Sequence, residues 1–297
     1  MLRNSMVVLN GKGGVLKTTL AAQLSGLAAL SGWRVLVVDL DQQANLARDL
    51  GYAARSDGGR GLFRAVAFGE PLEPIKDVRP GLDVIAGGPE LNNLYNHLML
   101  ERGSSVLERF ASLGKALAGL SSSYDLILFD SPPGGVIHYE ALTAAHYVVI
   151  PTQPDQGSID GLATVFRTLV EVRQVSNPDV TVLGAALGPI ATNATRLRKD
   201  AMTKLERVAG QHIHVFETVV RAAQPIAVAC REDGLLVHEY ERAAAEATPW
   251  YRLSKDERHS RRSWSTSSTG LSEDYSRLAS EILGRFTELR QVEAAQR

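Results

Sequence analysis

Residues 6–19 read Met6-Val7-Val8-Leu9-Asn10-Gly11-Lys12-Gly13-Gly14-Val15-Leu16-Lys17-Thr18-Thr19, and an Ala/Leu-rich stretch continues to Leu30. An apolar run, a glycine-rich turn and a helical segment, in that order, describe a strand that delivers the chain into a phosphate cradle. Glycines let the backbone bend until its N–H groups converge on an anion, and the N-terminus of the next helix adds its dipole. At these offsets Lys17 reaches the β- and γ-phosphates of a nucleotide, and the Thr18 hydroxyl ligates Mg2+. Two residues set the loop apart. Leu16 stands where the pattern G-x-x-x-x-G-K-[ST] has its second glycine, so its side chain is expected to crowd the phosphate or strain the turn. Lys12 is a second lysine inside the loop.

Working outward, strands are expected at Met6–Asn10, Arg34–Asp39, Leu82–Ala86, Asp125–Asp130, Tyr147–Ile150, Val180–Leu187 and His212–Phe216. These runs are continuous in Val, Ile and Leu rather than alternating, as strands covered on both faces are. Helical stretches at Thr18–Leu30, Ser104–Leu120, Ile159–Val175 and Arg196–Ala209 lie between them. That alternation implies βαβ units: an α/β fold with a mainly parallel, twisted sheet and helices on both faces, in a single domain.

Two acidic stations follow the loop. Val38-Asp39-Leu40-Asp41-Gln42-Gln43-Ala44-Asn45 places two carboxylates at the carboxyl end of a strand, where such sheets bind ligands. Leu126-Ile127-Leu128-Phe129-Asp130 delivers a third, suited to a Mg2+-linked carboxylate, and Ser131-Pro132-Pro133-Gly134-Gly135 makes a loop able to shift when a γ-phosphate leaves.

Together these segments resemble the ParA/MinD ATPases. Lys12-Gly13-Gly14-Val15-x-Lys17-Thr18-Thr19 looks like that family's deviant Walker A box, KGGVGKTT, with Leu16 as the departure. The Asp39–Asn45 segment is similar to D-x-D-P-Q-G-N, with Gln42 in place of proline and Ala44 in place of glycine; Asp130-Ser131-Pro132-Pro133 resembles switch II. Pro151-Thr152-Gln153-Pro154-Asp155 is similar to the family's P-x-x-P-[ED] loop. The resemblance implies a P-loop NTPase fold and a site for ATP and Mg2+. Gly11, Lys12, Gly13, Gly14, Val15, Lys17, Thr18 and Thr19 would cradle the nucleotide, and Thr18, Asp39 and Asp130 would hold the metal. Lys17 and the water-positioning Asp41 would act in hydrolysis. Lys12 would reach the nucleotide of a second subunit, completing a homodimer with ATP sandwiched between subunits. Asn193, in the loop after the Val180–Leu187 strand, is a candidate adenine contact or simply a turn residue.

Composition narrows the branch. The 297 residues carry 32 Lys+Arg against 33 Asp+Glu, a net charge of −1, with 44% hydrophobic residues. That excludes a disordered chain and a uniformly polycationic nucleic-acid binder, so DNA affinity has to come from local clustering. Cys230 is the only cysteine, which excludes an intrachain disulfide and a nitrogenase-reductase-like cluster. The longest apolar runs are far too short to cross a bilayer, and the amino terminus has no signal-peptide pattern, so the expected location is cytoplasmic. The phosphate loop begins near residue 10, leaving no room for an amino-terminal helix-turn-helix.

Arg196, Arg198, Lys199, Lys204 and Arg207 share one helical segment with only Asp200 and Glu206 against them, a local balance of +3. With Arg221 they are expected to bind DNA without reading bases, although charge alone also suits a solvated helix face. A second basic cluster, Arg252, Lys255, Arg258, Arg261 and Arg262, is interleaved with Trp250, Tyr251 and Trp264. The chain thus divides into a P-loop ATPase domain over 1–248, a basic Ser-rich insertion or linker over 249–271, and an amphipathic helix over 272–297, docked on the domain.

The function expected is a ParA-like ATPase, slow and partner-stimulated, that dimerises on ATP, binds DNA and drives partition or positioning of plasmid, chromosome or cargo. It would release DNA on hydrolysis, associate with the nucleoid and answer to a ParB-like centromere-binding or adaptor protein. The alternatives are a MinD-like membrane-associated ATPase, disfavoured by the acidic residues on the last helix, and a nucleotide-binding scaffold whose hydrolysis Leu16 weakens.

Overall fold

The computed structural model describes residues 1–100, 111–210, 213–247 and 268–296. Seven strands form one sheet: β1 (Leu2–Val8), β2 (Val35–Asp39), β3 (Ile75–Arg79), β4 (Leu82–Ile85), β5 (Leu126–Asp130), β6 (Ala145–Thr152) and β7 (Thr181–Leu187). Their spatial order is β3-β4-β2-β5-β1-β6-β7, and every neighbouring pair except β3–β4 is parallel. The helices described are α1 (Lys17–Leu30), α2 (Asn45–Asp49), α3 (Arg60–Phe68), α4 (Leu91–Leu100), α5 (Ser112–Ala118), α6 (Val136–Ala144), α7 (Gln156–Val175), α8 (Thr195–Ala209), α9 (Gln224–Asp233), α10 (Val237–Glu246) and α11 (Ser268–Ala295).

The sheet divides two apolar cores, which is why its strands read as unbroken apolar runs. Val7, Leu36, Val38, Ile127 and Phe129 face the layer that includes α3 to α8, whereas Met6, Val8, Val35, Val37 and Leu128 face α1, α9, α10 and α11. Every residue of β2, β5 and β6 is buried. The last helix closes the second core with Leu271, Tyr275, Leu278, Ala279, Ile282 and Phe286, all buried. Among the described residues no helix is long and apolar enough to cross a membrane.

The structure departs from the sequence reading in three places. Residues 213–216 are not a strand: Val215 meets Ala185 at an isolated bridge. The ladder stops there because Glu281 of α11 takes the next two backbone N–H groups, those of Glu217 and Thr218. Conversely, β3 is an unanticipated strand. Ile75-Lys76-Asp77-Val78-Arg79 is a half-exposed, charged edge that pairs antiparallel with β4, with Gly81 at φ +78° in the connecting turn. Finally, α11 starts at Ser268, so Ser268-Thr269-Gly270, read as the end of a linker, form its first turn. A Cβ at Gly270 would sit 1.8 Å from Nη1 of Arg221, so any side chain there has to displace that guanidinium. The basic and aromatic residues 250–264, and 104–110 of the expected Ser104–Leu120 helix, lie outside the described residues.

Candidate nucleotide-binding site

The parallel register brings the functional segments to one edge. Val8 of β1 and Asp39 of β2 both lie level with Asp130 of β5, so the phosphate loop, the Asp39–Asn45 turn and the Ser131–Gly135 loop leave the sheet side by side. Together they line a cleft of about 520 Å3, with Gly13–Thr19 as one wall and Asp41, Gln42, Ser131, Pro133 and Arg231 around it.

Both glycine-to-side-chain departures fall at left-handed positions. Leu16, the N-cap of α1, has φ 62° and ψ 20°, and Ala44, the N-cap of α2, has φ 49° and ψ 38°. An L-residue there costs on the order of 1–2 kcal/mol, so the loop keeps the backbone path of the glycine pattern and accepts strain to do so. Neither residue has a side-chain cap, which leaves the N-terminal N–H groups of α1 free for an anion.

Lys17 is buried and donates from Nζ to the Lys12 carbonyl at 2.8 Å. Burial lowers its pKa, while the charges of Asp130 and Asp41 oppose that shift. Asp39 and Asp130 are fully buried. Asp39 accepts from the Asp41 N–H at 2.9 Å and lies 3.5 Å from the Tyr52 hydroxyl, yet burial and then the Asp130 charge hold its carboxyl well above the usual carboxylate range. Neither carboxylate oxygen of Asp130 has a hydrogen bond, and burial pushes this group up to about 7, with Thr18 and Lys17 working against the rise. An orphaned buried carboxylate beside a threonine hydroxyl at a phosphate cradle fits a divalent cation. Among the described residues no cluster of three metal-binding side chains completes a cage. A hydroxyl and a carboxylate beside a phosphate cradle suit Mg2+, which shares its coordination with substrate phosphates and water. Asp41 accepts from the Gln43 N–H at 2.9 Å and presents to the cleft.

Lys12 points elsewhere within its own chain. Its Nζ lies 2.6 Å from Oδ1 of Asp155 and 3.2 Å from Oγ of Ser158, and its backbone N–H donates to Asn10. Asp155 is also the N-cap of α7, accepting from the Ser158 N–H; Lys12 and Ser158 together hold its carboxyl down at about 2. Asn193 is exposed in the β7–α8 loop and does not line the cleft. Gly11 and Val15 lie in the loop as read, and Thr19 directs its hydroxyl to Asp49 at 3.3 Å.

Sequence reasoning missed Asp49, Tyr52 and Arg231. Arg231 grips Asp49 through two guanidinium nitrogens, Nε and Nη2, from 182 residues away, and no local pattern could announce such a contact. On α8, Arg196, Arg198, Lys199, Lys204 and Arg207 are all exposed, opposite the buried Ala201, Leu205 and Ala209. Arg221 differs: its guanidinium is held by Asp274 of α11 at 2.7 and 2.9 Å.

The family described as an AAA domain (AAA_31) matches residues 4–182. The chromosome-partitioning ATPase Soj of Thermus thermophilus is 34% identical over 216 residues, covering 72% of this chain and 80% of Soj. Among solved structures, the ATP complex of Cyanothece McdA superposes with a TM-score of 0.75 at 18% identity, over 95% of this chain and 96% of that one, a likeness of fold. Cobyrinic acid a,c-diamide synthase of Mycobacterium smegmatis, solved with ADP and magnesium, gives a TM-score of 0.65 at 28% identity, over 78% and 92%.

Proposed function

The chain belongs to the ParA/MinD family of P-loop ATPases, and on that premise we propose that it is a ParA-like partition ATPase that dimerises on ATP and binds DNA as the dimer. The observation that carries this reading is the pairing, in one nearly neutral chain, of a two-lysine phosphate loop with an exposed basic helix face. ATP lies along Gly11–Thr19, with Lys17 on its β- and γ-phosphates. Thr18 and Asp130, with the Asp39 region, would hold Mg2+, which would supply positive charge beside the phosphates. Asp41 orients the attacking water, and Tyr52 and the Asp41 N–H fix the Asp39 side chain.

Lys12 leaves Asp155 and crosses to the partner's nucleotide. Its ion pair is largely solvated, with side chains 36% and 44% exposed, so breaking it costs little. The dimer then displays two copies of Arg196, Arg198, Lys199, Lys204 and Arg207, with Arg221 beside Arg198, and DNA affinity depends steeply on ATP and salt. Hydrolysis dissolves the dimer and releases DNA. A ParB-like protein speeds that step, and the ATPase works in the cytoplasm on the nucleoid. A membrane anchor is disfavoured because the apolar stripe of α11 is spent on the core.

Lys12→Ala is the decisive variant. ATP-dependent dimerisation in light scattering and ATP-dependent retention on DNA should both be lost while the monomer keeps its thermal transition; dimers persisting in the variant would overturn the reading.

A further inference from the structure

The Ser131–Gly135 loop contains a side-chain contact that no motif singles out. His138, in the first turn of α6, is buried. Its Nε2 lies 2.5 Å from the Pro132 carbonyl oxygen and 2.9 Å from the Gly134 nitrogen, and the Gly134 N–H also points at Pro132 O, at 3.0 Å. One ring nitrogen, one N–H and one carbonyl thus form a closed triangle.

A ring nitrogen carries either a proton or a lone pair. With the proton, Nε2 donates to Pro132 O, and its hydrogen faces that of the Gly134 N–H, which Pro132 O also accepts. Without it, Nε2 accepts from the Gly134 N–H and faces the carbonyl oxygen at 2.5 Å, lone pair against lone pair. In either form one bond through Nε2 ties the ring to the turn. Burial lowers the pKa of the ring to about 4, with the Lys17 charge adding to the effect, so the imidazole is neutral and holds one proton for its two nitrogens.

We infer that His138 is a positioning residue for switch II: through the contacts of Nε2 with Pro132 O and the Gly134 N–H it keeps the Pro132–Gly134 turn folded on itself, with the Gly134 N–H withheld from the cleft. Pro132 and Pro133 line the cleft, and Pro133 stands opposite Gly13 of the phosphate loop. A γ-phosphate can take the Gly134 N–H only by opening this turn and breaking the His138 bond. His138 therefore opposes nucleoside triphosphate and leaves diphosphate untouched, so it tunes the discrimination between them. The inference rests on the reading of this cleft as the nucleotide site.

The test is a calorimetric titration of the full chain with ADP and with a non-hydrolysable ATP analogue, each with Mg2+, for wild type, His138→Leu and His138→Gln. Loss of one net hydrogen bond that opposes opening should shift the analogue-to-ADP affinity ratio of His138→Leu about five-fold towards the analogue. The glutamine amide offers both a donor and an acceptor in place of Nε2, so His138→Gln should stay within about two-fold of wild type. A general loss of stability would lower both affinities and leave the ratio alone. An unchanged ratio in His138→Leu overturns the role of His138, whereas a wild-type chain that binds neither nucleotide overturns the site and this inference with it. Should His138→Leu not fold, the wild-type ring is followed by 15N NMR. The His138 Nε2 resonance should differ between the ADP and the analogue complexes; identical spectra overturn the inference.

Discussion

Asp130 at the phosphate loop and Asp274 on α11 are both nearly sealed from solvent, at 0% and 6% exposure, and their surroundings are opposite. Asp274 accepts three bonds from Arg221, two from the guanidinium and one from the backbone N–H. Glu281, two turns further along, takes the N–H groups of Glu217 and Thr218 in the same way. These carboxylates are neutralised inside the chain and tie the last helix to the sheet edge. No hydrogen bond reaches either carboxylate oxygen of Asp130; Thr18 and Lys17 favour its charged form, but burial outweighs them and Asp41 adds like charge. A buried charge left uncompensated is destabilising unless something outside the chain completes it. The flank is built for stability, and the phosphate edge sacrifices stability to a ligand.

The largest expected effect tests that contrast directly. On the proposed reading, Asp130→Asn should weaken Mg2+-dependent nucleotide binding on the order of 100-fold, while making the ligand-free chain more stable at neutral pH. The sign follows from linkage. The folded pKa of about 7 lies above the unfolded value of 3.8. The folded state therefore binds the extra proton between those values, and the stability it lends falls as pH rises through about 7. Thermal scans from pH 5 to pH 8 should show the wild type losing stability over this range and the variant losing less. A parallel decline would mean that Asp130 is not the group responsible.

Next comes the basic face. Charge reversal at Arg196, Arg198 and Lys199 should lower ATP-dependent DNA retention by at least about 10-fold and flatten its salt dependence. The thermal transition should stay in place, because these side chains are exposed. Asp274→Asn should do the reverse, costing about 2 kcal/mol in urea unfolding by leaving Arg221 half-buried and unpaired, with nucleotide affinity unchanged. The smallest effect is expected at Leu16. Leu16→Gly relieves a left-handed side chain and should stabilise the chain by at most about 1 kcal/mol. Tighter ATP binding or faster turnover should accompany it, and if neither changes, the loop tolerates the branch.

Much of the sheet was legible because burial on both faces demands unbroken apolar runs, which Val35–Asp39 and Leu126–Asp130 display plainly. The edges were not. β3 is a charged strand that exists through its pairing with β4, whereas residues 213–216 have a strand's composition but lose their ladder to Glu281. At the cleft, short spacing foretold that Lys17 and Thr18 would open the helix after β1 and that Asp41 and Asp130 would lie at the carboxyl ends of neighbouring strands. The expected strain at Leu16 is visible in its φ of 62°. Arg231 and Tyr52 left no comparable signal, because their roles come from packing α9 and the 50–55 turn against the phosphate edge.

The sequence by itself determined the fold class, the phosphate loop and the order of the acidic stations, because each rests on local periodicity and short spacing. It also determined that any DNA affinity, in a chain of net charge −1, has to come from local clustering. Only the tertiary structure decided which charges are free and which are taken. Arg221 and Arg198 read alike in the sequence, yet one is clasped by Asp274 and the other faces solvent. Lys12 meets Asp155 across 143 residues, and His138 closes on the switch loop only because α6 turns back towards it. Periodicity encodes what each segment buries against the common core, whereas the pairing of individual charges depends on where distant segments meet.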